Sequence, residues 1–185
     1  MIGTRRRAAI AALAVSLTAA TAVVAHDAAP HPGLDFEPPR PGTYTLHRIM
    51  RAPDGEVLGL DGRGHRLSEF TAGKITLLGF IYTTCTDPEG CPLAYRVFET
   101  VRQTVATPAL RDQVQLVTLS FDPLRDTPSV MRRYAGSRVS ERSPRWYFLT
   151  TRSARQLQPL VDGFGQDVRV TIDRSNGQAR RELSH

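Results

Sequence analysis

The feature that most constrains the fold is a repeated order in which a buried strand is followed by a helix. Residues 74–83 (KITLLGFIYT) form a continuous apolar run of strand length, and residues 113–121 and 145–151 repeat this pattern. Apolar residues at helical spacing follow each of these runs. Continuous apolar strands that alternate with helices are typical of a parallel sheet covered by crossover helices. The chain is therefore predicted to form an α/β domain.

Prolines and capping residues define the ends of the predicted helices. Pro92 suits a first helical position, because its missing N–H has no partner to lose there. Thr127 is expected to cap a second helix that begins at Pro128 and ends at Gly136. A third helix is predicted over residues 153–165, with an apolar face formed by Leu157, Leu160, Val161 and Phe164.

Shorter strands are predicted on either side of this core. The hairpin signals Asp54-Gly55 and Asp61-Gly62 predict two short strands near 44–51 and 56–60, before the first buried strand. Residues 168–173 and a strand from about Ala179 are predicted to form a second hairpin near the end of the chain. The full order of elements is β-β-β-α-β-α-β-α-β-β.

Both cysteines of the chain, Cys85 and Cys91, lie at the turn between the first buried strand and its helix. Thiols in this position indicate a thioredoxin-like fold, with a central mixed sheet flanked by helices and an N-terminal β-hairpin extension. Cys91 is placed at, or just before, the helix N-terminus. Since partial positive charge at a helix N-terminus favours a thiolate, Cys91 is expected to be the acidic thiol.

The pair CTDPEGC has the spacing C-x5-C, which leaves three interpretations open: a structural disulfide, a redox pair and a metal-binding pair. Cu(I) favours thiolates and low coordination, and a histidine nitrogen is a good third ligand. His185 follows a predicted strand, so it is a better geometric candidate for that ligand than His26 or His31 on an extended arm.

The N-terminal residues have the composition of an export signal. Three arginines precede an uncharged, alanine-rich run, and cleavage is expected after Ala25, so residues 1–25 are interpreted as a signal peptide. The alternative is an uncleaved anchor that holds the protein at the inner membrane. Proline-rich residues 26–43 are interpreted as a linker, and residues 44–185 as the folded domain.

The predicted export places the protein in the periplasm, where thiols tend to oxidise. Loss of the three arginines lowers the net charge from +6 to +3, because no acidic residue is lost with them. No arginine-rich run is interleaved with aromatic residues, which argues against nucleic-acid binding.

Three stretches of the chain resemble the SCO/SenC family of copper-binding thioredoxin-fold proteins. They are FIYTTCTDPEGCPLAYRVFETV, LVTLSFDPLRDTPSVMRRYAG and WYFLTT, and the resemblance covers roughly residues 42–185. It implies that Cys85, Cys91 and His185 bind copper, as Cu(I) and also as Cu(II). It also implies a copper chaperone for cytochrome c oxidase subunit II or another periplasmic copper protein. The alternative is a thiol-disulfide oxidoreductase that acts on the cysteines of such an acceptor.

This sequence departs from the family pattern at several points. The family spacing is usually C-x3-C, so the loop between Cys85 and Cys91 carries two extra residues. Many members have an acidic residue before the family histidine, where this chain has Ser184. The family continues with another strand and a helix, so the domain is expected to be truncated at its C-terminus.

Other residues at the same predicted edge of the sheet admit two interpretations. Asp122 and Asp126 follow the second buried strand and could tune the thiols or contact a partner, or cap a helix and form a turn. Trp146 is interpreted as a core residue. A peroxidase function is disfavoured, because peroxiredoxins place a proline before the reactive cysteine and residues 80–84 contain none.

Overall fold

The computed structural model describes residues 36–40, 42–85, 87–139, 142–173 and 180–184. The chain divides into two units, residues 1–47 and 48–185. In the described part of the first unit, the Thr43 N–H and hydroxyl both donate to the Arg40 carbonyl oxygen, at 3.1 and 2.7 Å. The second unit contains all the described helices and strands.

An N-terminal hairpin is present, but it lies later in the chain than predicted. Strand β1 is Glu56–Leu58 and pairs antiparallel with β2, Gly64–Arg66. The predicted strand near 44–51 is wrong, because those residues make no strand pairing. Of the two predicted hairpin signals, Asp61-Gly62 lies in the turn between β1 and β2, and Gly62 supplies a positive φ of 80° there. Asp54-Gly55 precedes β1 and closes no hairpin.

Three parallel strands form the centre of the domain. They are β3 (Ile75–Ile81), β4 (Val114–Ser120) and β5 (Trp146–Leu149), in the order β3-β4-β5. Every residue of β4 is buried, as the apolar run predicts. Among the described strands β3 pairs with β4 alone, and most of its residues are half-buried. Leu58 forms an antiparallel bridge to Thr150, which makes the sheet mixed.

The predicted helices are confirmed, with small changes at their ends. Helix α1 is Cys91–Thr104, α2 is Pro128–Ala135 and α3 is Ala154–Gly163. The Thr127 hydroxyl accepts a hydrogen bond from the Val130 N–H, as the predicted cap requires. Strands β6 (Arg169–Asp173) and β7 (Arg180–Ser184) form the predicted C-terminal hairpin, whose turn lies outside the described residues.

The two faces of β4 bury two separate groups of apolar side chains, because successive strand residues point to opposite faces. Val117 and Leu119 pack with Leu157 and Leu160 of α3. On the opposite face lies a second cluster, which includes Leu116, Met131, Phe98, Phe148 and Trp146. Trp146 is 3% exposed, which confirms its interpretation as a core residue.

Helix α1 approaches β3 closely at Gly79. A Cβ atom at this position would lie 2.8 Å from Cζ of Phe98, closer than two such carbons can pack. Only glycine therefore lets the Phe98 ring lie over β3 without a shift. This contact sets how close the start of α1 lies to the end of β3, where both cysteines are found.

Candidate metal and redox centre

The two cysteines lie where β3 ends and α1 begins. Cys85 follows the end of β3 at Ile81, and Cys91 is the first residue of α1. Both are free thiols in the structure. Cys91 is 3% exposed, whereas Cys85 is partly accessible to solvent. The strand and the helix therefore bring both sequence-predicted sulfur ligands to one edge of the sheet.

A compact turn closes the wide C-x5-C loop. The Asp87 carbonyl accepts a hydrogen bond from the Gly90 N–H at 3.1 Å, and its carboxylate accepts one from the Glu89 N–H at 3.0 Å. A Cβ atom at Gly90 would lie 3.4 Å from Cys85 Sγ. The glycine thus allows the Cys85 sulfur to lie directly against the backbone that leads into α1.

Cys85 is the acidic thiol of the pair. Burial acts to raise its pKa, but hydrogen bonds from the Cys91 N–H and thiol, the Tyr82 hydroxyl and the Asp87 N–H outweigh that effect. The pKa of Cys85 is consequently held below its ordinary value. The Cys85 sulfur can therefore carry negative charge at a lower pH than the sulfur of a free cysteine.

The expectation that Cys91 is the acidic thiol is wrong. Burial raises the pKa of the Cys91 thiol to about 12, and the hydrogen bond that it donates to Cys85 adds to this effect. The physical reason is the direction in which the first N–H of the helix points. The Cys91 N–H points at the Cys85 sulfur, while the Cys91 side chain is buried in the core.

Asp126 ties the segment before Cys85 to the end of β4. Its carboxyl group is fully buried and accepts hydrogen bonds from the Thr83 N–H at 3.0 Å and from the Thr83 hydroxyl. The Ser120 hydroxyl donates a further hydrogen bond to it at 2.6 Å. Asp126 therefore acts on the cysteine loop by holding Thr83, two residues before Cys85.

Asp122 is also fully buried and completes the same turn. The Ser120 hydroxyl accepts a hydrogen bond from the Asp122 N–H at 3.0 Å, and Arg125 Nη1 lies 3.3 Å from the Asp122 carboxylate. Of the two interpretations for these aspartates, the structure supports turn formation. Asp126 has a second role, because it also positions the cysteine loop.

A cavity of about 430 Å³ opens beside the pair. Tyr82, Tyr95 and Tyr134 line it together with both cysteines. The pKa of Tyr134 is raised to about 12, first by burial and then by the negative charge of the nearby thiolates. Burial also raises the pKa of Tyr82 to about 12, so Tyr82 and Tyr134 stay neutral beside the thiols at physiological pH.

The third predicted ligand, His185, lies outside the described residues. Within the described ranges, no further histidine, cysteine or acidic side chain joins the two thiols in a metal-binding cluster. His65 Nδ1 lies 3.0 Å from the Glu69 carboxylate, in the N-terminal hairpin. A soft metal ion would thus meet two protein sulfurs from the described part of the chain.

Sequence reasoning missed several residues around the pair. Tyr95 could have been found, because it follows Cys91 by one helical turn and so lies on the same face of α1. Tyr82 carried no such signal, since its bond to Cys85 depends on the conformation of a turn. Tyr134 and Arg138 come from α2 and the segment after it, and only tertiary packing brings them to the cavity.

A protein-family model described as SCO1/SenC matches residues 54–185. Among curated proteins, none has a matching sequence.

Several solved structures resemble this chain. The copper-bound ScoI of Bradyrhizobium japonicum is 22% identical, with a TM-score of 0.55 over 72% of this chain and 78% of that one. The copper-bound ScoI of Arabidopsis thaliana is 22% identical, with a TM-score of 0.56 over 72% and 76%. Apo Sco1 of Thermus thermophilus is 27% identical, with a TM-score of 0.55 over 71% and 70%. These similarities confirm the predicted thioredoxin-like α/β fold.

Proposed function

The chain belongs to the SCO1/SenC family, whose model matches most of its length, and on this premise we propose that it binds copper during cytochrome c oxidase assembly. The observation that carries the proposal is the pair of free thiols, Cys85 and Cys91, at one edge of the sheet. Copper-bound structures of two similar proteins support it.

The chemistry of the pair suits Cu(I) as cargo. Soft thiolate ligands favour Cu(I) over harder divalent ions, and the low pKa of Cys85 supplies one thiolate readily. Cys91 must lose its proton when the metal binds, so copper affinity is expected to rise with pH. His185 is proposed as the third ligand, for Cu(I) and also for Cu(II).

The proposed acceptor is subunit II of cytochrome c oxidase or another periplasmic copper protein. We infer this acceptor from membership of the family. The assignment requires export of the chain, for which residues 1–25 are proposed to act as a cleaved signal peptide. The alternative is that they remain as an uncleaved anchor. Within the described residues, every helix is too short or too polar to span a bilayer.

Copper binding is expected to depend on the three proposed ligands. Cys85→Ser and Cys91→Ser should each abolish tight Cu(I) binding, because a single thiolate cannot chelate the ion. His185→Ala should weaken binding by about tenfold or more. The measurement is competition with a chromophoric Cu(I) chelator, together with the copper content of the purified protein.

A matched control for the histidine is His65→Ala, because His65 pairs with Glu69 away from the thiols and should leave copper affinity unchanged. Full copper affinity in both serine variants would contradict the proposal.

A second candidate function is thiol-disulfide exchange with the cysteines of the acceptor. The observation that favours it is the asymmetry of the pair, in which the acidic Cys85 accepts a hydrogen bond from the buried Cys91 thiol. An exchange catalyst should work without copper, and His185→Ala should leave its rate unchanged. Loss of exchange in the His185 variant would count against this second function.

A further inference from the structure

We propose that the cavity beside Cys85 and Cys91 binds a small disulfide or thiol that carries carboxylate groups. This inference relies on the thiols of the proposed function but not on copper. Three properties of the cavity carry it: its volume, the guanidinium groups in its wall, and the position of both sulfurs.

The size of the cavity suits a small molecule. Its volume of about 430 Å³ falls within the range of about 300–1,000 Å³ that is typical of ligand pockets. Tyr95, Tyr134 and Pro92 provide a largely apolar wall. A ligand the size of a tripeptide could place its apolar parts against these rings while its sulfur faces the pair.

Two arginines, Arg96 and Arg138, line this cavity. Arg96 lies on α1, and within the described residues its guanidinium has no hydrogen-bond or ion-pair partner. None of the described residues that line the cavity is acidic. A carboxylate suits this position, because guanidinium forms short, charge-assisted hydrogen bonds with it.

The second arginine is held in place before any ligand binds. Arg138 Nε donates to the Glu99 carboxylate at 2.6 Å, and the guanidinium lies 4.4 Å from the centre of the Tyr95 ring. These contacts leave other N–H groups of Arg138 available, since guanidinium has five. A preorganised guanidinium loses little side-chain freedom when it binds an anion.

The two thiols supply the chemistry. In the forward direction, the Cys85 thiolate attacks a bound disulfide R–S–S–R, which forms a Cys85–S–S–R bond and releases one thiolate that takes up a proton. Cys91 loses its proton and attacks Cys85 Sγ, which forms the Cys85–Cys91 disulfide and releases the second R–SH. The protein dithiol is oxidised and the small disulfide is reduced to two thiols.

The test compares two disulfide probes that differ in charge. Reduced, copper-free protein is mixed with glutathione disulfide, which carries carboxylates, or with bis(2-hydroxyethyl) disulfide, which is neutral. Arg96→Gln should slow oxidation by glutathione disulfide about tenfold, the value of a lost charge-assisted hydrogen bond. It should leave the rate with the neutral probe within a factor of about two.

The matched control is Arg102→Gln, which removes the same charge from α1. Arg102 lies six residues after Arg96, about 240° around the helix, and does not line the cavity. Its rates with both probes should equal those of the unmodified protein. Equal slowing by both variants would show a general effect of net charge and would overturn the proposal.

Binding without exchange is measured with S-methylglutathione, whose blocked sulfur cannot react. Calorimetry should show saturable binding that Arg96→Gln weakens about tenfold. An absence of saturable binding overturns the proposal, as does saturation by an acidic peptide of the acceptor but not by the thioether. Copper affinity of the unmodified protein is measured separately. If that protein binds no copper, the result with S-methylglutathione still stands.

Discussion

Replacement of Asp126 by alanine is expected to lower the free energy of unfolding by about 3 kcal/mol. The change leaves the Thr83 N–H and the hydroxyls of Thr83 and Ser120 without their acceptor in a buried site. Each buried donor without a partner costs about 1–3 kcal/mol. Partial access of water to Thr83 keeps the cost per donor near the lower end of that range. Chemical denaturation monitored by the fluorescence of Trp146 measures the loss.

A second measurement shows whether Asp126 acts on the cysteine loop in particular. The Thr83 N–H donates to Asp126, so its hydrogen exchange should become faster in the variant. Thr83→Val removes one hydroxyl donor and should cost about 1 kcal/mol, which keeps the test informative if the alanine variant fails to fold. Asp162→Asn on the exposed side of α3 is the matched control and should be close to neutral. Equal stability of the Asp126 variant and this control would contradict the assigned role.

Alkylation of the reduced, copper-free protein is expected to modify Cys85 at least about 100-fold faster than Cys91 near neutral pH. Only the thiolate reacts, and the pKa of Cys85 lies below its ordinary value while that of Cys91 is about 12. Burial of Cys91 adds a further barrier. Peptide mapping by mass spectrometry after short exposure to iodoacetamide gives both rates.

The pH dependence of alkylation follows from the opposite directions of the two pKa shifts, downward for Cys85 and upward for Cys91. The Cys85 rate should level off below the pH at which a free cysteine does, because its thiolate is fully formed earlier. The Cys91 rate should still be rising well above that pH, since its pKa is about 12. Faster modification of Cys91 than of Cys85 at any pH below 9 would show that this ordering is wrong.

Substitutions at Cys91 test what lowers the pKa of Cys85. Cys91→Ala removes the side-chain donor and should raise the Cys85 pKa, which lowers its alkylation rate at neutral pH. Cys91→Ser keeps a donor of similar position and serves as the matched control. Identical pH profiles for the two variants would mean that the side-chain hydrogen bond contributes nothing.

Local sequence patterns were enough to predict most of the elements of this fold. The apolar run before Cys85 became β3, and Thr127 with Pro128 began α2 as expected. These signals are reliable because strand burial and helix capping depend on residues that are close in the chain. The strand predicted near 44–51 failed, since a turn signal alone does not supply a pairing partner.

The chemistry of the site was only partly predictable. The position of Cys85 and Cys91 at a strand-to-helix turn followed from periodicity, and so did the expectation that a helix N-terminus acidifies a thiol. Which sulfur benefits depends on the path of the loop, because Gly90 and the Asp87 turn bring Cys85 in front of the helix. Spacing does not encode that path.

By itself the sequence determined that this chain alternates strands with helices and places its two thiols between the first such pair. Each of those properties arises from neighbouring residues. The tertiary structure decided which thiol is acidic, that Asp126 holds Thr83 across 43 residues of chain, and that Arg138 joins Tyr95 beside the sulfurs. The physical reason is that burial and hydrogen-bond partners depend on which distant segments pack together, and local periodicity carries no record of those contacts.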